Sequence, residues 1–142
     1  MFFGLQFTTL FVIRKKTKLY KQIFYFMKEE LKSRTKEFAK SVWKQCQFLG
    51  NEFYDYKRQL IRCSSSVGAN YRAACRAKSK KDFINKLKIV EEELDESLYF
   101  IELITELSEN PRFNSEEWEI IYNEGNKLLA IIVKSLITLR KN

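Results

Sequence analysis

From Met27 to the end of the chain, apolar residues return every three or four positions, and a single proline, Pro111, interrupts them. That period, between 3.5 and 3.6 residues, belongs to an amphipathic helix. Four glycines and one proline are too little punctuation for a many-stranded β protein. The chain is therefore read as a few long helices.

Four stripes can be traced. The first carries Leu31, Thr35, Phe38, Val42, Cys46 and Leu49, with Gly50 as a stop. The second, with Asn51 as its cap, carries Phe53, Tyr56, Leu60, Ser64, Val67, Tyr71 and Ala74 and turns near Ala77 and Lys78. Ser79 stands three residues before Asp82, a capping box with aspartate in place of glutamate. The third stripe carries Phe83, Leu87, Val90, Leu94, Leu98 and Ile101, broadened by Leu103, Ile104 and Leu107. "ENPRFN" breaks it. Asn114 or Ser115 caps the fourth, which carries Trp118, Ile121, Gly125, Leu128, Ile132, Leu136 and Leu139. Short connections make such helices antiparallel neighbours, so the expected fold is all-α: an antiparallel up-and-down four-helix bundle about 30–40 Å long.

Residues 1–26 differ from this pattern. Their apolar part is shorter than the ~20 residues a membrane-spanning helix needs. Their five basic residues follow the apolar part rather than precede it, unlike a secretory signal. Met27 opens an amphipathic helix start. Residues 1–26 are read as an N-terminal extension, upstream of a start at Met27, and residues 27–142 as the bundle domain. No integral membrane association is expected.

The net charge is +8, and residues 1–26 supply five of it. The remaining chain holds 21 basic and 18 acidic residues. A case for a polyanionic partner must therefore rest on where charges cluster. Histidine is absent, which removes the commonest general base and metal ligand. Cys46, Cys63 and Cys75 show no C-x-x-C spacing and are read as reduced thiols of a cytoplasmic protein. "CSSSVG" lacks the G-x-S-x-G pattern, and the stretch that follows lacks G-K-[ST]. The sequence offers no catalytic residue, metal site or cofactor motif, and an enzyme is not expected.

The second helix has a distinctive outer face. Arg58, Arg62, Ser65, Ala69, Arg72 and Arg76 are spaced 4, 3, 4, 3 and 4, which places them on one stripe. Small residues, Gly68 among them, keep that surface low and open to close approach by another helix. The third helix holds Glu91, Glu92, Glu93, Asp95 and Glu96 within six residues. Taken alone, such a run is a solvated acidic face. Two uses of the ridge follow. Arg58, Arg62, Arg72 and Arg76, with Lys78, Lys80 and Lys81 at the turn, are candidate contacts to RNA or single-stranded nucleic acid. Alternatively, Arg62, Ser65, Gly68, Ala69 and Arg72 of one subunit meet Glu91, Glu92 and Asp95 of the next in a head-to-tail interface. In that case the chain is a structural or adaptor protein that binds a protein partner.

The stretch "QLIRCSSSVGANYRAACRAKSKKDFINKLKIVEEELDESLYFIELI", Gln59 to Ile104, resembles the signature of the four-helix-bundle proteins related to those encoded in bacterial 23S ribosomal RNA intervening sequences. The resemblance covers about residues 27–142. It is also similar to a relative, the accessory variability protein of diversity-generating retroelements. The resemblance implies a bundle that assembles as a ring-shaped homopentamer and, by way of that strongly basic relative, a nucleic-acid partner. Five is a number implied by the resemblance alone.

Overall fold

The computed structural model describes residues 18–111 and 113–141. Four α-helices are present: α1 (Lys18–Cys46), α2 (Tyr54–Ala74), α3 (Lys80–Leu107) and α4 (Ser115–Lys141), with a 3-10 turn at Asn51–Phe53. Among the described residues there is no strand. Each helix packs on its neighbour in sequence, and α1 also packs on α4, which closes the bundle. The fold is the expected four-helix bundle.

The stripes form the core. Leu31, Phe38 and Val42 of α1, Leu60 and Val67 of α2, Leu87, Val90, Leu94 and Ile101 of α3, and Trp118, Leu128 and Leu136 of α4 are all buried together. Three serines and one threonine are also buried, namely Ser64, Ser97, Ser135 and Thr35. Each hydroxyl donates to a main-chain carbonyl three or four residues back in its own helix. These buried polar atoms are thereby satisfied within their own helices, and Ser97 Oγ also lies 3.2 Å from Cys63 Sγ across the α2–α3 seam.

The ends of the helices depart from expectation in three places. Helix α1 does not begin at Met27. It runs without a break from Lys18, because no glycine, proline or capping residue stands between them, and Met27 is buried within it. Residues 1–17 of the expected extension lie outside the described residues. Helix α1 then ends at Cys46 in a series of i→i−3 bonds through Leu49, not at Gly50. Gly50 has φ −67° and ψ 175°, an extended conformation open to any residue. Asn51 does not cap α2 but starts the 3-10 turn that leads into it.

The other caps follow the sequence. Ser79 Oγ accepts from the Asp82 amide at 3.1 Å, and Asp82 Oδ2 accepts from the Lys78 amide, also at 3.1 Å. Aspartate is one methylene shorter than glutamate, and it closes this box on the residue before the cap. Asn114 Oδ1 accepts from the Glu117 amide and caps α4. Leu107, expected to broaden the α3 stripe, is exposed where the helix ends.

Polar clasps cross each seam of the bundle. Lys28 Nζ donates to the Cys75 carbonyl between α1 and α2. Arg62 joins α2 to Glu93 and Glu96 of α3. Tyr122 of α4 donates to Glu102 of α3 at 2.6 Å. Arg34 of α1 meets Glu124 of α4 with two bonds, Nε to Oε1 at 2.8 Å and Nη2 to Oε2 at 3.1 Å.

Candidate nucleic-acid interface

The bundle topology sorts the charges by end. The α2–α3 connection, the N-terminal part of α1 and the C-terminal part of α4 share one end. That half, residues 28–36, 70–88 and 127–141, holds fifteen basic residues and three acids. In the remaining described bundle, residues 37–69, 89–111 and 113–126, the balance is five basic residues against fifteen acids. A main body that is nearly neutral by composition is thus strongly polarised along its axis.

Helix stability explains part of this separation. Asp55 begins α2 and Arg72 ends it, and Glu116 and Glu117 begin α4 while Arg140 and Lys141 end it. Both arrangements complement the helix macrodipole. Helix α3 does largely the reverse: Lys80 and Lys81 stand in its first turn with a single acid, Asp82, and Glu106 stands in its last turn, where there is no basic residue. The net charge at each of its ends opposes its own dipole, so the macrodipole does not account for that order.

The residues expected to contact nucleic acid fall into two groups. Arg58, Arg72, Arg76, Lys78 and Lys81 are exposed and Lys80 is half-buried, and among the described residues none of their side chains makes an ion pair. Arg72, Arg76, Lys78, Lys80 and Lys81 gather at the basic end, whereas Arg58 lies towards the other. Arg62 is different. Its Nε donates to Gln59, Nη1 stands 3.3 Å from Glu93 Oε2, and Nη2 bonds Glu96 Oε1. The Glu96 carboxylate, accepting from Arg62, holds the guanidinium further above its usual range. Arg62 is a clasp between two helices of the same chain.

The residues expected at a subunit interface also separate. Ser65, Gly68, Ala69 and Arg72 line a groove of about 570 Å³ between α1 and α2, with Glu29, Lys32, Ser33, Thr35, Lys36 and Ala39 on the other wall. The low surface at Gly68 is used by the chain's own α1: a Cβ there would lie 3.5 Å from Thr35 Oγ1 and 3.7 Å from the Lys36 amide nitrogen. The acidic run of α3 splits between two flanks. Glu93 and Glu96 turn to α2 and hold Arg62. Glu91 and Asp95 share an i, i+4 row that continues to Glu102, the partner of Tyr122 on α4. Glu92 and Asp95 are exposed and Glu91 is half-buried.

Lys32 and Lys36 were not singled out from the sequence. Each follows a core residue, Leu31 or Thr35, by one position, and this is the only sequence signal that places them beside α2. Lys32 pairs with Glu29 at 2.7 Å, while Lys36 makes no ion pair among the described residues. Tyr54 is exposed but starts α2 at the acidic end, and Tyr56 packs on Phe100 with centroids 6.4 Å apart.

A second hollow, about 700 Å³, lies at the acidic end, where Phe48, Phe53, Phe113 and Trp118 stand among Glu52, Glu117 and polar loop residues. The Phe113 and Trp118 rings stack at 6.0 Å. The thiols have no catalytic setting. Burial pushes Cys46 up to about 12 and Cys63 up to about 11, away from the thiolate form. Among the described residues no group of three His, Cys, Asp or Glu side chains is placed to hold a metal ion, and no helix is long and apolar enough to cross a membrane.

Comparison with known proteins agrees with this architecture. The chain is similar to a solved structure from Bacteroides thetaiotaomicron, a protein of unknown function from the S23 ribosomal protein family. The two are 31% identical with a TM-score of 0.67, and the match covers 78% of this chain and 97% of the other. No curated protein matches the chain. Residues 27–134 match the family model for 23S rRNA-intervening sequence proteins. Fold, sequence and helix-by-helix pattern therefore agree, and the chain belongs to the 23S rRNA-intervening sequence protein family.

Proposed function

We propose that this protein is a non-enzymatic, cytoplasmic, ring-forming oligomer that binds RNA or another nucleic acid through the basic end of its bundle. The observation that carries this reading is the charge order of α3. Lysines at a helix N-terminus and glutamates near its C-terminus are each unfavourable by roughly 0.3–1 kcal/mol. An arrangement that works against its own helix is understandable if the charges serve another molecule. Arg72, Arg76, Lys78, Lys80 and Lys81, free of ion pairs within the described chain, are the contacts. Phosphate neutralisation by such side chains gives an affinity that falls as salt rises. Five subunits, as the family resemblance implies, would repeat the basic end around a ring and multiply weak contacts.

The experiment is fluorescence anisotropy of labelled RNA against salt concentration, with oligomeric mass measured in parallel. Binding that weakens steeply with salt, and weakens further in Arg76→Ala and Lys81→Ala with the mass unchanged, supports the reading.

A second reading has its own support. A bundle that is basic at one end and acidic at the other is complementary to a copy of itself, and an adaptor ring assembled through those charges would present its remaining surface to a protein. In that case oligomeric mass falls at high salt and no RNA binds at any salt.

A further inference from the structure

The groove between α1 and α2 brings three cations to one place: Lys32 and Lys36 from one wall and Arg72 from the other. Lys36 and Arg72 make no ion pair among the described residues, and Lys32 has only the surface partner Glu29. A surface pair of this kind is worth little and yields readily to a phosphate. The floor between the walls is Ser65, Gly68 and Ala69, so nothing bulky stands between the cations. Past Arg72 the same i, i+4 row of α2 reaches Arg76, and Lys78 of the connection and Lys81 of the first turn of α3 follow in the chain. The groove holds about 570 Å³, room for a short length of one extended strand but not for a duplex.

We infer that this groove seats the sugar-phosphate backbone of a single RNA strand, with Lys32, Lys36 and Arg72 on its phosphates. This rests on the nucleic-acid reading above and names its seat. Charge complementarity favours RNA over the acidic flank of a second copy. The α3 acids do not form one continuous row: Glu93 and Glu96 are held by Arg62, and Glu91 and Asp95 lie on the opposite flank. A strand of phosphates, by contrast, matches the Lys32, Lys36 and Arg72 cluster in the groove, with Arg76 one turn beyond it on α2.

The test uses the full chain with oligouridylate and its duplex with oligoadenylate as probes. The expected result is tighter binding of the single strand. Lys36→Ala and Arg72→Ala should each flatten the slope of log affinity against log salt by about 0.7. Ala69→Trp, which fills the floor without changing charge, should weaken binding by about tenfold or more, or ~1.4 kcal/mol. Ser65→Gln serves as a milder second block on the same floor, and helical circular dichroism confirms that both variants fold. Three results overturn the seat. If both blocked variants bind as the parent does while Arg76→Ala and Lys81→Ala bind less, the groove is not the seat, although the basic end still binds. If Ala69→Trp lowers the oligomeric mass, the groove is a subunit contact. If the unmodified protein binds neither probe at low salt, the seat and the nucleic-acid reading fall together.

Discussion

Gly68 of α2 lies against Thr35 of α1, so that a methyl group at position 68 would meet Thr35 Oγ1 at 3.5 Å. That is ordinary van der Waals contact. Gly125 of α4 differs, because a methyl there would lie 2.8 Å from Leu98 Cδ2 and 3.1 Å from the Phe38 ring, both of them buried. Replacing glycine by alanine inside a helix gains roughly 0.8–1 kcal/mol of propensity. Gly68→Ala is expected to keep most of that gain and raise stability by up to ~1 kcal/mol. Gly125→Ala must also overpack the core, which typically costs about 1–3 kcal/mol. It is expected to lower stability by about 1 kcal/mol. Urea unfolding of the two variants checks the opposite signs.

Reversal of charge at Arg62 should act within the bundle. Arg62→Glu sets a third carboxylate against Glu93 and Glu96 and loosens the α2–α3 seam. Arg62→Ala only removes an exposed clasp and is expected to cost less than about 1 kcal/mol. Thermal melting should therefore rank the parent above Arg62→Ala, and Arg62→Ala above Arg62→Glu. Equal melting of all three would show that the clasp is not formed in solution.

The cap of α3 offers a local test. Ser79→Ala removes the acceptor for the Asp82 amide and is expected to cost about 1 kcal/mol. Ser79→Asp keeps an acceptor and should cost much less. Hydrogen exchange at the Asp82 amide reads the cap directly.

The thiols predict the alkaline limb of stability. Cys46 and Cys63 are held as neutral thiols, up to about 12 and about 11, chiefly because burial disfavours the thiolate. A pKa raised on folding means the folded chain holds protons that the unfolded chain has lost. Their contribution is therefore complete below the unfolded value of 9.0 and declines as pH rises from there towards 11–12. The melting temperature should fall over that window, and fall less in Cys63→Ala relative to its own value at neutral pH. Near neutral pH a disulfide reagent should label the half-exposed Cys75 first, with Cys46 and Cys63 reacting only on unfolding.

The core was legible because helical periodicity reports burial directly. Leu31 to Cys46 on α1, Leu49 in the turn after it, and Trp118 to Leu139 on α4 are buried as their spacing requires. Helix ends were less legible. Gly50 stops nothing, since α1 ends four residues earlier through short-range bonds, and Met27 interrupts nothing. The ridge on α2 could be read as a row, but its members could not be sorted. Spacing along one helix cannot say that Arg62 finds Glu93 and Glu96 across a seam while Arg72 faces Lys36 across a groove. Nor does a net charge of +3 in the main body reveal that its acids and bases part along the bundle axis, because that depends on which helix halves share an end.

The measurement closest to the central claim is a salt series of RNA binding, with Arg76→Ala and Lys81→Ala compared against the parent at matched oligomeric mass. The account predicts a linear fall of log affinity with log salt, and a shallower slope, by about 0.7 for each side chain removed. No binding at low salt, or binding whose salt slope is unchanged in both variants, would contradict it.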